Sequence, residues 1–397
     1  MEQSYNKIKN IWNSYFINVS LSCWFISSVW LFYWLNYFTY TEIGYVDAIT
    51  VLIVFVLGIP LGALADLIGR KKVLTISFIA MFVGIMLQTI AWNKIPIAIG
   101  NLVFNIGYAG QTGSLGAIIY DSLKQNNMEA KYPQYYSRTS TFSIIANILC
   151  LVLGGLTFNI NQRLPFLLWA LSYLFGLIFV LKLNEPPRIA TAKISLKSYF
   201  KQNWEGIRGL VSGYLLKFLP FTLIVLGFSY TYDWSSLRPA IGQTNGLDGY
   251  TQSMIFAFSL IPETFIVQLI PLFRRKISDK VGSIILCLAM ASMFVFFGMR
   301  LGPTIAVPMI IISSISALSY AWMIMIINDH TDSKHRATVV GGMYTILKLP
   351  YIFLAIVSGQ IIEAGHLTDL NLAIAAIIGV TAVVLAFQHT SHKAHLS

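Results

Sequence analysis

Two ionisable side chains stand inside long apolar runs of this 397-residue chain. A charge at the centre of a bilayer costs about 2.5–3.5 kcal/mol on insertion scales, so each calls for a role. Glu263 lies in Ile261-Pro262-Glu263-Thr264, and Lys348 in Leu347-Lys348-Leu349-Pro350. A carboxyl there can take up a proton on one side of a membrane and release it on the other, which is coupling chemistry; the bland counterpart is an acid hydrogen-bonded for packing. A desolvated ammonium needs a carboxylate or an anionic ligand. Lys348 is therefore expected either to hold an anionic group or to form an ion pair, with Glu263 one candidate partner. Pro350 leaves a backbone carbonyl unbonded and permits a hinge nearby.

Softer signals surround these two. Asn101, Asn105, Tyr108, Gln111 and Thr112 recur at roughly helical spacing, as do Ser20, Trp24, Ser27 and Trp34, while Tyr320 and Trp322 share a later run. They offer hydrogen bonds and flat apolar or cation-binding faces. Trp and Tyr also collect at membrane interfaces for purely structural reasons. Catalytic sets are missing. There is no Ser-His-Asp arrangement, no Walker loop and no GxGxxG opening a helix, so neither an enzyme nor an ATP-driven machine is expected, and no cofactor. Cys23, Cys150 and Cys287 stand alone in apolar runs without CxxC spacing, and read as small hydrophobes rather than a disulfide or metal set. The histidines fall in loops or in the tail, the latter trio being His389, His392 and His395, and no metal site is expected.

The elements that must position these residues follow from composition. Only 11% of residues are charged, 56% are hydrophobic, and mean hydropathy is +0.69. That balance excludes a disordered chain and argues against a cytosolic enzyme. Twelve stretches approach the roughly 20 apolar residues of a spanning helix: 17–38, 44–65, 73–92, 95–119, 139–158, 164–183, 209–231, 252–272, 283–301, 304–327, 338–361 and 370–388. The fold class is thus an all-α membrane protein of two six-helix bundles. A bundle over 1–183 and one over 209–397 flank a polar loop, 184–208, which Pro186 and Pro187 open. Lys193, Lys197 and Lys201 recur in that loop at four-residue spacing and suit a basic helix on the membrane surface. With both termini cytoplasmic, 21 of the 27 Lys and Arg fall in cytoplasmic segments and four in outer loops, the asymmetry of the positive-inside rule. The net charge of +11 is then a topology signal and not a nucleic-acid footprint.

The loop after the second span carries the one dense motif: Gly62-Ala-Leu-Ala-Asp66-Leu-Ile-Gly69-Arg70-Lys71-Lys72. A degenerate copy follows the eighth span, Arg274-Arg275-Lys276-Ile277-Ser278-Asp279-Lys280-Val281-Gly282, and Tyr120-Asp121…Arg138-Thr139 rhymes with Asn328-Asp329…Arg336-Ala337-Thr338. Parallel repeats of this kind indicate two related halves. Gly62 suits close packing and Gly69 a tight reversal. Asp66 is an anion at a membrane edge, with Arg70 the nearest cation to pair it.

This motif, in this place, resembles the loop signature of the major facilitator superfamily, and the layout extends the resemblance over the whole chain. It implies that the loop is a cytoplasmic latch. Asp66 would meet the start of span eleven near Arg336 and Thr338, Asp279 would meet the start of span five near Arg138, and Asp121 would join the inner gate. It also implies that spans one, four, seven and ten line a cavity, which would place Trp24, Trp34, Asn101, Asn105, Gln111 and Tyr320 toward it. Two departures stand out. Span four lacks the family's arginine, and span five has Gly154-Gly155 without the proline that marks many antiporters. The segment Ala117–Lys124 and the step Arg336-Ala337-Thr338 look like those of a bacterial, exporter-like branch.

The expectation is a secondary transporter in the cell membrane, a monomer that takes a small-molecule substrate and protons, with Glu263 as coupling group, exporting an amphipathic compound. Two alternatives stay open: a symporter or uniporter in which Lys348 holds an anionic metabolite, and a non-transporting receptor or assembly factor on the same fold.

Overall fold

A computed structural model of the protein describes residues 2–112, 114–185, 196–332 and 335–388, apart from the side chains of 2–8, 58–63, 66–67, 196–200 and 202–203. All regular structure among these residues is helical, as an apolar environment demands when each N–H and C=O must bond within its own segment. Pro186, Pro187, Lys193 and the tail histidines lie outside the described residues, as do the side chains of Gly62, Asp66 and Lys197.

The chain divides into two compact units. Met1–Lys201 with Gly242–Leu260 forms one; Gln202–Ile241 with Ile261–Ser397 forms the other. The elements run α1 Glu2–Leu21, α2 Trp30–Trp34, α3 Tyr40–Ile68, α4 Arg70–Thr89, α5 Lys94–Gln111, α6 Ser114–Lys124, α7 Tyr132–Ile160 and α8 Leu164–Leu181. After the central loop come α9 Leu196–Leu210, α10 Gly227–Trp234, α11 Leu237–Thr244, α12 Gly249–Val267, α13 Ile270–Arg274, α14 Asp279–Phe297, α15 Ala306–His330, α16 Arg336–Ile346, α17 Lys348–Glu363 and α18 Leu367–Phe387.

Among the described residues, eight segments are long and apolar enough to cross a bilayer: Tyr40–Leu57, Arg70–Thr89, Glu129–Ile160, Leu164–Leu181, Asp279–Phe297, Gly302–His330, Arg336–Glu363 and Leu367–Phe387. These answer eight of the twelve expected stretches. The other four are the first, fourth, seventh and eighth, and none of them is the unbroken helix expected: the eighth is divided between α12 and α13 by a turn at Gln268–Leu269, and the first, fourth and seventh break as well.

The breaks differ in local structure. In the first stretch α1 stops at Leu21, and beyond it Ser22 Oγ bonds back to Asn18 O at 2.8 Å and Cys23 Sγ to Val19 O at 3.2 Å. The Phe25 carbonyl then lies so close to Gly154 of α7 that a Cβ there would overlap it. In the fourth stretch α5 ends at Thr112, whose backbone is extended (ψ 120°) and whose Oγ1 bonds Tyr108 O at 3.0 Å. The seventh is a 3₁₀ turn over Leu215–Phe218, a π-helical turn over Phe221–Leu226, then α10. Pro220, which heads the π turn, supplies no N–H to the ladder.

Close packing is carried by glycines. On the α4–α5 face, a Cβ at Gly84 would meet Phe104 N at 2.5 Å and Gly100 O at 2.6 Å, and Gly107 lies against Ser77 O. Gly116 of α6, by contrast, faces open space. Thr39 and Glu42 form a reciprocal capping box at the start of α3, with bonds of 3.2 and 3.3 Å. Asp248 caps α12: the Thr251 hydroxyl, and then the Thr251 N–H at 2.8 Å, donate to its carboxyl and hold it below the usual carboxylate range.

Because the atoms opposite Gly84 and Gly100 are backbone, no side chain can swing aside. Gly100→Val is expected to cost about 1–3 kcal/mol, the typical penalty of overpacking, read as a lower thermal midpoint of the detergent-solubilised protein. An unchanged midpoint would show that α4 and α5 do not cross there.

Candidate functional site

The expected coupling group, Glu263, sits half-buried on α12, one residue past Pro262 and close to where the chain passes between the two units. Its charged neighbours are Asp233 and Arg238, neither of which was singled out in the sequence. Asp233 ends α10 and Arg238 opens α11 across the Ser235-Ser236 turn. Ser235 Oγ accepts the Leu237 N–H at 3.1 Å and starts the second helix. That turn brings Arg238 Nη1 to 3.8 Å from Asp233 Oδ1 and lays the guanidinium over the Tyr232 ring, 5.5 Å from its centroid. The Arg238 side chain is only 10% exposed. The cluster thus holds two carboxylates against one cation.

Tyr320 of α15 belongs to the same neighbourhood. Its hydroxyl donates to Leu226 O at 3.3 Å, and its ring lies within electrostatic range of Asp233. Lys348 does not join it. It is half-buried at the α16–α17 break, next to the Leu347 turn, and among the described residues no carboxylate reaches ion-pair distance. The Lys348–Glu263 pair, one of the expected possibilities, is therefore not made; the cation within electrostatic range of Glu263 is Arg238. Pro350 packs near Gly227 of α10, where an added Cβ would stand 3.4 Å from its Cγ.

The first unit gathers the aromatic candidates. Trp24, in the break after α1, meets Phe104 and Tyr108 of α5 edge-on at 6.1 and 5.8 Å and tilts on Trp169 of α8 at 5.3 Å. Asn105 Nδ2 bonds Asn101 O at 2.8 Å and Asn101 Oδ1 at 3.1 Å, while Asn101 Nδ2 reaches Thr50 Oγ1 at 3.4 Å. Gln111 is buried and bonds Thr112 Oγ1 at 3.4 Å. Trp34 is 3% exposed and packed between Trp30 and Phe38, so its ring serves the core of the unit rather than an open face. Cys23 and Cys150, unrelated by sequence spacing, lie near each other.

The signature loops hold two charge knots of different depth. Gly69 turns α3 into α4 at φ 114°, a conformation open to glycine. Arg70 then donates from Nη1 to Asp121 Oδ2 at 2.5 Å and from its backbone N–H to Glu185 Oε1 at 2.7 Å. Both members of the Arg70–Asp121 pair are 32% exposed. In the second unit Arg274 precedes its aspartate instead of following it. It bonds Asp279, pairs with Asp329 at 2.9 Å, and lies 5.2 Å over the Trp322 ring. Tyr214 donates to Asp279 Oδ2 at 3.4 Å and stacks on His330 at 3.9 Å. Gly282 makes room for the Trp322 ring, whose Nε1 bonds Asp279 O at 3.3 Å. The gate candidates Arg138 and Arg336 are exposed, and Arg336 Nε donates to Thr331 O at 3.1 Å.

Depth decides what each knot contributes. Arg274 and Asp279 are 14% and 11% exposed, and stripping the cation from a buried pair costs about 3–5 kcal/mol. Half-exposed pairs contribute about 1 kcal/mol or less. Arg274→Met should therefore lower the thermal midpoint in detergent far more than Arg70→Met. Equal losses would contradict this ranking.

Similarity to known proteins agrees with this geometry. Residues 11–355 match the family model of the Major Facilitator Superfamily. The class H tetracycline resistance protein of Pasteurella multocida is 25% identical over 191 residues, which are 44% of this chain and 46% of that protein, so the match spans less than half of that relative's length. Among solved structures, the nucleoside transporter NupG aligns with a TM-score of 0.78 at 16% identity, covering 97% of this chain and 99% of that one. A D-xylose–proton symporter aligns at 0.68 and 14% identity, covering 96% of each. The helical fold, the two loop motifs and the extent of the family match together establish that this chain is a member of the major facilitator superfamily.

Proposed function

We propose that the protein is a proton-coupled exporter of a small amphipathic compound, working by alternating access in the cell membrane with both termini cytoplasmic. The observation that carries the coupling is the grouping of Asp233 and Glu263 around the buried Arg238. Two ionised carboxylates near one guanidinium leave a net negative charge, and one proton taken up by either removes it. The cluster is thus a store for a single exchangeable proton, and Tyr320 lies beside it. The distribution of Lys and Arg supports the orientation. The Trp24–Phe104–Tyr108 surface offers flat faces to a planar amphipath, and the tetracycline-resistance relative makes tetracycline the first compound to assay.

A second reading draws on Lys348. A half-buried ammonium with no carboxylate at ion-pair distance among the described residues suits an anionic substrate. In that case Lys348→Gln abolishes substrate binding while leaving the fold intact, measured by ligand-induced thermal shift with a panel of small organic anions. Shifts equal to wild type would remove this alternative.

The principal reading is tested in proteoliposomes with an imposed pH gradient and a panel of planar amphipaths, tetracycline first. For a compound that wild type moves, Glu263→Gln and Asp233→Asn are each expected to cut the gradient-driven initial rate at least about tenfold, the scale of one lost proton-transfer group. Wild-type rates in Glu263→Gln would overturn its assignment. A panel in which no compound responds to the gradient would overturn proton coupling itself.

A further inference from the structure

The central loop contains a helix whose two sides differ in kind. At about 100° per residue, Leu196, Phe200, Trp204 and Ile207 fall on one side of α9, Lys197, Lys201 and Arg208 along its edge, and Gly206 and Gly209 on the opposite side. The glycine side is committed to protein. An added Cβ at Gly206 would overlap the carbonyl oxygen of Thr338, one at Gly342 would overlap the backbone of Gly206, and Gly209 lies against the Val339 side chain. Helix α9 is therefore clamped backbone to backbone on the first turns of α16, which fixes its rotation. The opposite side then turns away from α16. There Trp204 is 66% exposed, and Lys201 and Arg208 are exposed beside it.

We propose that this outer side of α9 rests on the headgroup layer of an anionic phospholipid bilayer. Three features single out that occupant. A tryptophan at the border between an apolar stripe and a basic edge is the arrangement of an interfacial helix. The edge brings three cations to the one acid, Glu205, that the helix contains, which complements a negatively charged surface. The glycine clamp holds that edge in one direction, so the ordering entropy of the helix is not lost again on each encounter. Since α16 begins at Arg336 and takes the clamp at Thr338 and Gly342, lipid held by α9 also bears on the base of α16.

The test is hydrogen exchange of the full chain in nanodiscs of phosphatidylcholine alone or mixed equally with phosphatidylglycerol. Peptides from 196–210 are expected to exchange about tenfold more slowly, or slower still, in the anionic discs, since each basic residue near such a surface adds to the attraction. Raising the salt should erase the difference in the unmodified protein, and the K197Q/K201Q/R208Q variant should not show it. Equal exchange in both discs, or protection that survives high salt, would overturn the proposal. Protection that follows protein concentration rather than phosphatidylglycerol content would assign the surface to a second copy and overturn it equally.

Discussion

Inside a bilayer no water waits for an unpaired N–H or C=O, so irregular backbone survives only where protein or trapped water covers it. The fold is organised by that constraint. Eight segments meet it with long apolar helices, one of them interrupted at Leu347 between α16 and α17. The first, fourth and seventh stretches break, and each break is sealed locally: Ser22 and Cys23 bond back into α1, Gly154 admits the Phe25 carbonyl, Thr112 bonds Tyr108 O, and a π turn follows Pro220. Stretches one, four and seven are among those that the family places around its cavity. The polar and aromatic candidates Trp24, Asn105 and Gln111 ride on or beside these broken pieces, because interrupted helices turn polar groups inward that an unbroken apolar helix would not carry.

The second constraint is charge in a low dielectric. The chain has few charges, and apart from Lys348 those drawn away from water come in company. Arg70 with Asp121, Arg274 with Asp279 and Asp329, and Arg238 with Asp233 and Glu263 each gather cation and anion on one spot. The first two knots lie in the repeated loops and tie helix ends together. The third differs in composition, since its acids outnumber its cation, and an excess carboxylate beside a buried guanidinium is the feature a proton can neutralise. The same aspartate–glycine spacing does different work in the two copies: Gly69 reverses the backbone, whereas Gly282 lies within α14 and makes room for an indole.

Much of this was legible in the amino-acid sequence. Apolar length located the helices, and the dense loop motif pointed to the family. Glu263 stood out because an acid in an apolar run has few structural excuses. Other features were not legible, for identifiable reasons. Hydropathy averages over a window and does not register where the backbone leaves the helical ladder, so the breaks were invisible. Asp233 and Arg238 sit just past the end of span seven, and Arg238 was counted as an outer-loop cation; their five-residue separation around Ser235-Ser236 was the available signal. Cys23 and Cys150 come near each other only because the first break docks on α7. Lys348 had a visible need for a partner, but spacing does not say which acid lies near, and among the described residues none reaches it.

The central claim is that Asp233 and Glu263 hold one exchangeable proton between them that leaves as substrate arrives. The most direct measurement counts protons released when substrate binds to purified protein in weakly buffered detergent. The account predicts close to one proton per substrate bound in wild type, and none in the Asp233→Asn/Glu263→Gln double variant with binding retained. Substrate binding by wild type without proton release, or an undiminished proton count in the double variant, would contradict it.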